Sequence, residues 1–533
     1  MIFAASTALA PLVCALMPGG PWFAKYRHFD FVVMSLPLNV HRPDSHVGQT
    51  WVKSLHRRRQ SKLCFAALLC SSLLYFLWFI GLLAPPVAVL RSTLGRVQPV
   101  EPTSSATPPI EDPPPLYEQW YEFESHLPQQ NESLPYPEGA DAQFFYASNH
   151  VWGLGFNNAL QEQLFLSHLA YIANRTYVFD VYTWNYDLNE PYTYHYGTWI
   201  PSRIPFTALI AGPTVGGSFG IDDPAPRAVS KPYYRKMCPE PTLIRSNEVN
   251  DGLGSEPDAS MMMQAWAETL KETPSKCIEV GNSDQIFSYM VFGDGQRVLP
   301  FLDEFLNSPV LKRFAWSTLV NDAVLANMHL FDESLSPVGR PLSSIRLLQP
   351  DDEPESGTAI PGLLAIHVRR GDYEEHCQNL ARWRSRFMGW LQSPLIIDRF
   401  ELPSAESDDE EAIRDYYMAK CLPDMDQIVL KINEVRWTPQ GRGLKRVHIM
   451  TNGPTEWIAE LKAKIMDLGG WDGVLSGDDL TLIPEQKYIS QAVDMALAMR
   501  SQVFIGNGFS SLSANVVILR LSRHFDPLTN RLW

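Results

Sequence analysis

From residue 157 onward the chain alternates between two hydrophobic rhythms. In "NNALQEQLFLSHLAYIANR" (157–175), Leu160, Leu164, Phe165, Leu169 and Ile172 recur at helical spacing, and the β-rich "TYVFDVYTW" follows at once. Further along, the strand-like "LLAIHV", "RVHIMTN" and "QVFIGN" are interleaved with the helical "DDEEAIRDYYMAKC", "TEWIAELKAKIM", "ISQAVDMALAMR" and "SSLSANVVILRL". Helices alternating with short apolar strands predict parallel sheets covered on both faces. The polar, acidic "QPDDEPESGTAIPG" (349–362) interrupts the pattern as an interdomain linker. The expected fold is therefore α/β, with two doubly wound Rossmann-like lobes at 141–348 and 363–533 that bind ligands at the carboxyl ends of their strands.

Before residue 141 the pattern is different. "LCFAALLCSSLLYFLWFIGLL" begins at 63 without a single charge, and at about 1.5 Å per residue it is long enough to cross a bilayer as a helix. A transmembrane helix is predicted at 63–84. Lys53, Arg57, Arg58, Arg59 and Lys62 precede it, whereas only Arg91 and Arg96 follow soon after. The positive-inside rule leaves residues 1–62 in the cytosol and the bulk of the chain in a lumen. The proline-rich "VQPVEPTSSATPPIEDPPPLYE" (98–118) predicts an extended stem, taken as 85–140.

Composition narrows the classes. A chain of 533 residues that is 45% hydrophobic has ample material for a large core, and its formal charge of −15 argues against broad contact with nucleic acid. Cys238, Cys277, Cys377 and Cys421 fall in the segment assigned to the lumen. They permit three pairings, and none has the spacing of a zinc site. "NES" at 131 and "NRT" at 174 are glycosylation sequons.

Three stretches carry candidate chemistry. In "LLAIHVRRGD" strand alternation puts His367 and Arg369 on one face and Val368 and Arg370 on the other. An arginine there either grips phosphate or pairs with a neighbouring carboxylate. The second, "DMALAMRSQVFIGNGFSSLSANVV", starts from Asp494, a carboxylate among apolar residues, and leads to Ser510 and Ser511 at a helix start. Those serines serve either as caps or as part of an anion site, and Asp494 suits the two N–H donors of a guanine edge. The third is "GLGFNNALQEQL" (153–164), a glycine turn entering a helix in which Asn157 is a possible N-cap.

Taken in this order, G-x-G-F-N-N at 153–158, H-V-R-R-G-D at 367–372 and the stretch from Asp494 to Ser511 resemble the GDP-fucose-dependent protein O-fucosyltransferases and the related α-1,6-fucosyltransferases. The resemblance implies a GT-B glycosyltransferase, with the N-terminal lobe on the acceptor side and the C-terminal lobe binding GDP-fucose. It further implies inversion at the sugar carbon, no bound metal and no cofactor beyond the donor. By position, Arg369 would assist diphosphate departure and His367 would line the nucleotide site. Asp494 would read guanine, Ser510 and Ser511 would hold phosphate, and Gly155, Phe156, Asn157 and Asn158 would lie near the fucose, with Asn157 counted as catalytic. Since such lobes move to admit the donor, the disulfides are expected within lobes, Cys238 with Cys277 and Cys377 with Cys421.

One departure matters. A branch of the family has a glutamate, proposed as general base, in the second position of the glycine turn, and here that residue is Leu154. The base lies elsewhere (Asp372 and Glu374 are candidates), or the diphosphate takes the proton, or the protein binds without turnover. The resulting expectation is a type II membrane fucosyltransferase of the Golgi or endoplasmic reticulum acting on a protein or glycan hydroxyl. The alternatives are a non-catalytic GDP-sugar-binding relative and a different lumenal transferase.

Overall fold

Short strands, wholly buried except for the exposed edge strand at 242–244, build the first sheet. Phe144–Ala147 (β1), Thr176–Phe179 (β2), Val229–Ser230 (β3), Thr242–Ile244 (β4) and Cys277–Val280 (β5) pair in the order β3-β2-β1-β5-β4, parallel throughout. The second sheet has the order β8-β7-β6-β9-β10, also all parallel, from Ile360–Val368 (β6), Arg446–Thr451 (β7), Gly473–Ser476 (β8), Ser501–Gly506 (β9) and Asn530–Leu532 (β10). The period of two is visible on β6. Leu363 and Ala365 enter one core together with Met450 and Phe504, while Leu364, Ile366 and Val368 enter another with Val447, Ile449, Val503 and Ile505.

The computed structural model describes residues 113–195, 197–337, 343–352, 358–404 and 409–533. They all belong to the second of two units into which the chain divides, Met1–Pro109 and Ile110–Trp533. The transmembrane helix expected at 63–84, the tail 1–62 and the stem as far as 112 lie outside them. Among the described residues, no helix is long and apolar enough to cross a membrane.

The expected elements are present with small shifts: helices Phe156–Ile172 (α1), Tyr373–Arg382 (α2), Glu410–Cys421 (α3), Thr455–Asp467 (α4), Ser490–Arg500 (α5) and Ser511–Ser522 (α6). Two boundaries differ from expectation. Within 85–140, the segment Glu118–Ser125 is helical, and Tyr117, Trp120 and Leu127 are buried, because these large apolar side chains outweigh the prolines around them. The linker 349–362 also gives up its last residues to β6, which starts at Ile360.

Two buried features shape the interior. Helix α1 has 14 of its 17 residues buried, so it is a central helix rather than an amphipathic surface one. Arg520, fully buried on α6, satisfies the carbonyls of Ala498, Met499 and Ser501 at 3.1, 3.2 and 2.7 Å and reaches Asn530 Oδ1 at 2.7 Å. A guanidinium is thereby placed at the C-terminal end of α5, where unpaired carbonyls and the helix dipole favour it. Both disulfides lie within lobes, Cys238–Cys277 beside the first sheet and Cys377–Cys421 between α2 and α3.

Candidate functional site

The carboxyl end of β6 sorts its side chains as alternation requires. His367 is buried, its Nδ1 2.9 Å from Ser513 Oγ on α6, and burial followed by the charge of Arg369 brings its pKa down to about 3, so the ring is neutral. Arg369 lies over the ring of Tyr373 at 4.7 Å, and its Nη2 meets Asp372 at 3.2 Å. Its Nε is buried without a hydrogen-bond partner. Arg370 turns the other way, stacking on Trp457 at 4.2 Å, with Nη1 on the carbonyl of Arg369 at 2.7 Å and Nη2 on the carbonyl of Pro423. Gly371 follows at φ 61°, a left-handed turn that glycine adopts without steric cost.

Helix α6 starts beside this strand end. Ser510 is its N-cap, its Oγ accepting from the backbone N–H of Leu512 at 3.3 Å, and Ser511 is the first helical residue. Tyr373 donates to the carbonyl of Phe509 at 3.0 Å and so joins the arginine's aromatic platform to the helix entrance. Ser513 also accepts from the N–H of Asn507 at 2.9 Å. The glycines of the Gly-Asn-Gly turn serve this packing: a Cβ on Gly508 would fall 2.3 Å from the Phe387 ring.

The glycine turn of the first lobe arrives from the opposite side. Gly155, not Asn157, occupies the N-cap of α1, and a Cβ there would meet nothing within 4 Å. Asn157 is buried in the first turn and accepts from Asn515 Nδ2 on α6, at its carbonyl (2.9 Å) and at Oδ1 (3.1 Å). Phe156 is fully buried against Tyr182 and Phe206, while Asn158 is half-buried. Leu154 is 47% exposed. Three motifs scattered through the sequence thus meet at the first two turns of α6.

Asp494 on α5 lies deeper. It accepts from His448 Nε2 at 2.7 Å, and His448 Nδ1 is buried without a partner. His448 pairs in register with Ala365, two residues before His367 on β6, so Asp494 belongs to the same sheet face but not to the strand ends.

Sequence reasoning missed a buried polar cluster at the strand ends of the first sheet. Asp180 Oδ2 accepts from Lys231 at 2.7 Å, Tyr146 at 2.8 Å and His150 Nε2 at 3.2 Å. Burial raises the Asp180 carboxyl, but His150 and Lys231 outweigh that and hold it low. His150 Nδ1 faces the carbonyl of Val151 at 3.0 Å; with acceptors at both nitrogens the ring is held protonated. Glu162 accepts from the N–H of Val151 at 2.5 Å, and burial pushes its pKa up to about 7 against the pull of His150 and that N–H. Cavities of about 760 and 350 Å³ adjoin the cluster and share Asn149, His150, Trp152 and Ser283. The sequence carried a signal for Asp180, which stands directly beyond β2, whereas His150 follows β1, a strand that shows no alternation.

Above this cluster, the hairpin Tyr192–His195/Thr198–Pro201 carries His195, whose ring packs on Trp184 at 4.5 Å. Among the described residues, no group of His, Cys, Asp and Glu is arranged to hold a metal ion.

Residues 346–521 match the family model described as GDP-fucose protein O-fucosyltransferase. The matched span includes His367, Arg369, Asp494, Ser510 and Ser511, whereas the glycine turn lies outside it. No curated protein matches the chain. Among solved structures, POFUT1 in complex with GDP-fucose is similar at 13% identity and a TM-score of 0.43, covering 75% of this chain and 99% of that one. POFUT1 in complex with GDP gives 12% and 0.40, covering 73% and 97%. A mutant of Arabidopsis thaliana FUT1 in complex with GDP gives 10% and 0.32, covering 75% and 73%.

Proposed function

As the chain carries a GDP-fucose protein O-fucosyltransferase domain at residues 346–521, we propose that it transfers fucose from GDP-fucose to a hydroxyl of a protein or glycan, with inversion and without calling on a bound metal. The observation that carries this reading is the meeting of three motifs at α6, through His367–Ser513 at 2.9 Å, Asn157–Asn515 at 3.1 Å and Tyr373–Phe509 at 3.0 Å. In the reaction the C1–O bond to the diphosphate breaks as an acceptor oxygen attacks from the opposite face. Negative charge then builds on the departing phosphate. Arg369, with a guanidinium nitrogen still unpaired, the hydroxyl of Ser510 and the backbone N–H of Ser511 at the start of α6 would receive that charge, as a preorganised site does.

In this reading Asp494, oriented by His448, contacts the guanine edge. The glycine turn, with Gly155, Asn157 and Asn158, faces the fucose, and Phe156 and His367 support the site from within. The lobes work as a GT-B pair. The protein acts in the lumen of the Golgi or endoplasmic reticulum, anchored by the apolar run at 63–84, and its donor site uses no further cofactor. A non-catalytic GDP-sugar-binding relative is the second reading, favoured by Leu154, an exposed leucine in the place of a proposed base.

Thermal unfolding of the full-length protein with nucleotides tests the assignment. GDP and GDP-fucose at 100-fold excess over Kd should add about 2.7 kcal/mol, well beyond UDP or ADP at the same concentration. Asp494→Ala should remove the guanine preference and, by leaving buried His448 without its Nε2 partner, cost about 1–3 kcal/mol in the absence of nucleotide. Equal stabilisation by UDP and GDP would remove the basis for a guanine-reading carboxylate. Release of GDP from GDP-fucose then separates an enzyme from a binding relative.

A further inference from the structure

The cavities of about 760 and 350 Å³ beside the Asp180 cluster belong to a longer trough. A third cavity, of about 480 Å³, shares Tyr186 and Lys231 with the 350 Å³ one, which in turn shares Asn149, His150, Trp152 and Ser283 with the largest. The trough crosses the carboxyl ends of β1, β2, β3 and β5, since Asn149, Asp180, Lys231 and Ser283 stand just past those strands. Open α/β sheets bind their ligands at such strand ends. Leu154 lines the largest cavity, so that end of the trough meets the glycine turn.

The middle cavity has the lining of a saccharide site. Trp152 and Tyr186, 54% and 37% exposed, hold their rings 4.8 Å apart. A pyranose can lay its C–H face on such a ring, and its hydroxyls both donate and accept. Partners for them line the rest of the cavity, which apart from Tyr146 is serine, asparagine, histidine, lysine and arginine, with no aliphatic side chain. Asn149 Nδ2 donates to the carbonyl of Asp284 at 2.5 Å, whereas Oδ1 is buried without a partner. Lys231 gives one N–H to Asp180 at 2.7 Å, and Arg235 gives two to Glu279 at 2.6 and 3.1 Å, which leaves both with donors to spare. A polypeptide is less well served. Neither edge strand of the sheet, β3 or β4, contributes a residue to the trough, so an extended peptide finds no backbone edge to pair with there.

Resting on the fucosyltransferase reading, we propose that the acceptor is a glycan. An oligosaccharide lies along the trough, stacks one pyranose ring on Trp152 and Tyr186, and presents a hydroxyl at the glycine turn. Asn149, Lys231 and Arg235 bind its other hydroxyls.

The test pairs binding with transfer, using the full-length protein and four linear trisaccharides, built of glucose, galactose, mannose and N-acetylglucosamine. Saturation-transfer NMR should show at least one of them bound. Trp152→Ala and Tyr186→Ala should each weaken that binding by about 3- to 10-fold, the loss of a ring stack. Tyr194→Ala, which removes an exposed tyrosine outside the trough, should not. With GDP-fucose the same sugar should gain the mass of one deoxyhexose, and Trp152→Ala should raise its KM with kcat little changed. Stabilisation by GDP should be unaltered in all three variants. No binding of any of the four sugars, or binding that neither Trp152→Ala nor Tyr186→Ala weakens, would overturn the proposal. Fucose transfer to an unstructured serine- and threonine-rich peptide, with none to the sugars, would overturn it too and make the occupant a polypeptide. Failure of GDP to stabilise the wild-type protein is a separate result: it removes the transferase reading and the acceptor role with it, whether or not the sugars bind.

Discussion

Arg369 and Arg370 are chemically identical neighbours with different surroundings. Arg369 has Nε unpaired and one Nη on Asp372, an incomplete set for a planar fork of five donors. Arg369→Lys should keep the fold and lower turnover by about 10²–10³, the cost of one preorganised donor to developing charge. For Arg370, on the face away from His367, the expected partner, of the two open to such an arginine, is a carboxylate within its own lobe. Arg370 instead satisfies two carbonyls and covers the indole of Trp457, because the strand end on that side abuts α4 and the Pro423 backbone. Burial lowers its pKa to about 10, and Arg370→Lys should lower the melting temperature first and activity only in consequence. Inactivity of a fully stable Arg370→Lys protein, with Arg369→Lys still active, would reverse the two assignments. Strand alternation was legible because it needs only local sequence. The partner of Asp494 was not, since His448 is 46 residues away, on β7. Of the two expectations for Ser510 the structure shows the cap: its hydroxyl accepts from the N–H of Leu512, and its own N–H donates to the carbonyl of Asn507 at 3.1 Å.

Long periodic helices and apolar runs of six or more residues were read correctly at the level of elements. Four-residue strands such as "FFYA" and "CIEV", buried at every position, show no alternation and were missed. Helix α1 reads as periodic, yet its polar residues are also inside, each for a tertiary reason that the pattern could not reveal. Asn157 meets Asn515, Gln163 accepts from Tyr177, and Glu162 holds Val151. Glu162 gives the element a pH dependence. Its folded pKa of about 7 exceeds the ordinary carboxyl value of 4.5, so the folded state binds the proton more tightly than the unfolded chain. The associated stability is fully present below pH 4.5 and is lost as the pH rises through 7, by at most about 3 kcal/mol. Glu162→Gln, which keeps an acceptor for Val151, should flatten this decline and raise the melting temperature at pH 8. A variant as pH-sensitive as wild type between pH 5 and 8 would exclude Glu162 as its origin.

At the scale of the molecule, the two sheets are joined by more than the linker. Tyr117 reaches the carbonyl of Glu485 at 2.7 Å, Asn327 accepts from the N–H of Thr481 at 2.8 Å, and Gln486 donates to the carbonyl of Leu319 at 3.1 Å. Residues 113–533 should therefore unfold in one calorimetric transition. Two resolved transitions, with only the later-melting or the earlier-melting one shifted by GDP, would show lobes that are energetically separate. The disulfides close loops with sequence separations of 39 and 44, each worth about 4 kcal/mol as a constraint on the unfolded chain, and neither crosses between lobes.

The order of the second sheet also bears on how the protein is made. The strand with His367 lies in the middle of β8-β7-β6-β9-β10, although it is the first of the five to leave the ribosome. One flank is covered when Arg446–Thr451 arrives, but the other waits for Ser501–Gly506, and the carbonyl of His367 waits for the indole of Trp533 at 2.8 Å. Throughout that interval a nascent chain presents "LLAIHV" as an unpaired apolar edge, the feature most prone to pair with a stranger. His367 and Arg369, proposed to handle the departing nucleotide, are thus among the first synthesised in their lobe and among the last to be secured, so a ribosome that stalls before residue 501 leaves behind a sticky fragment rather than a half-working enzyme.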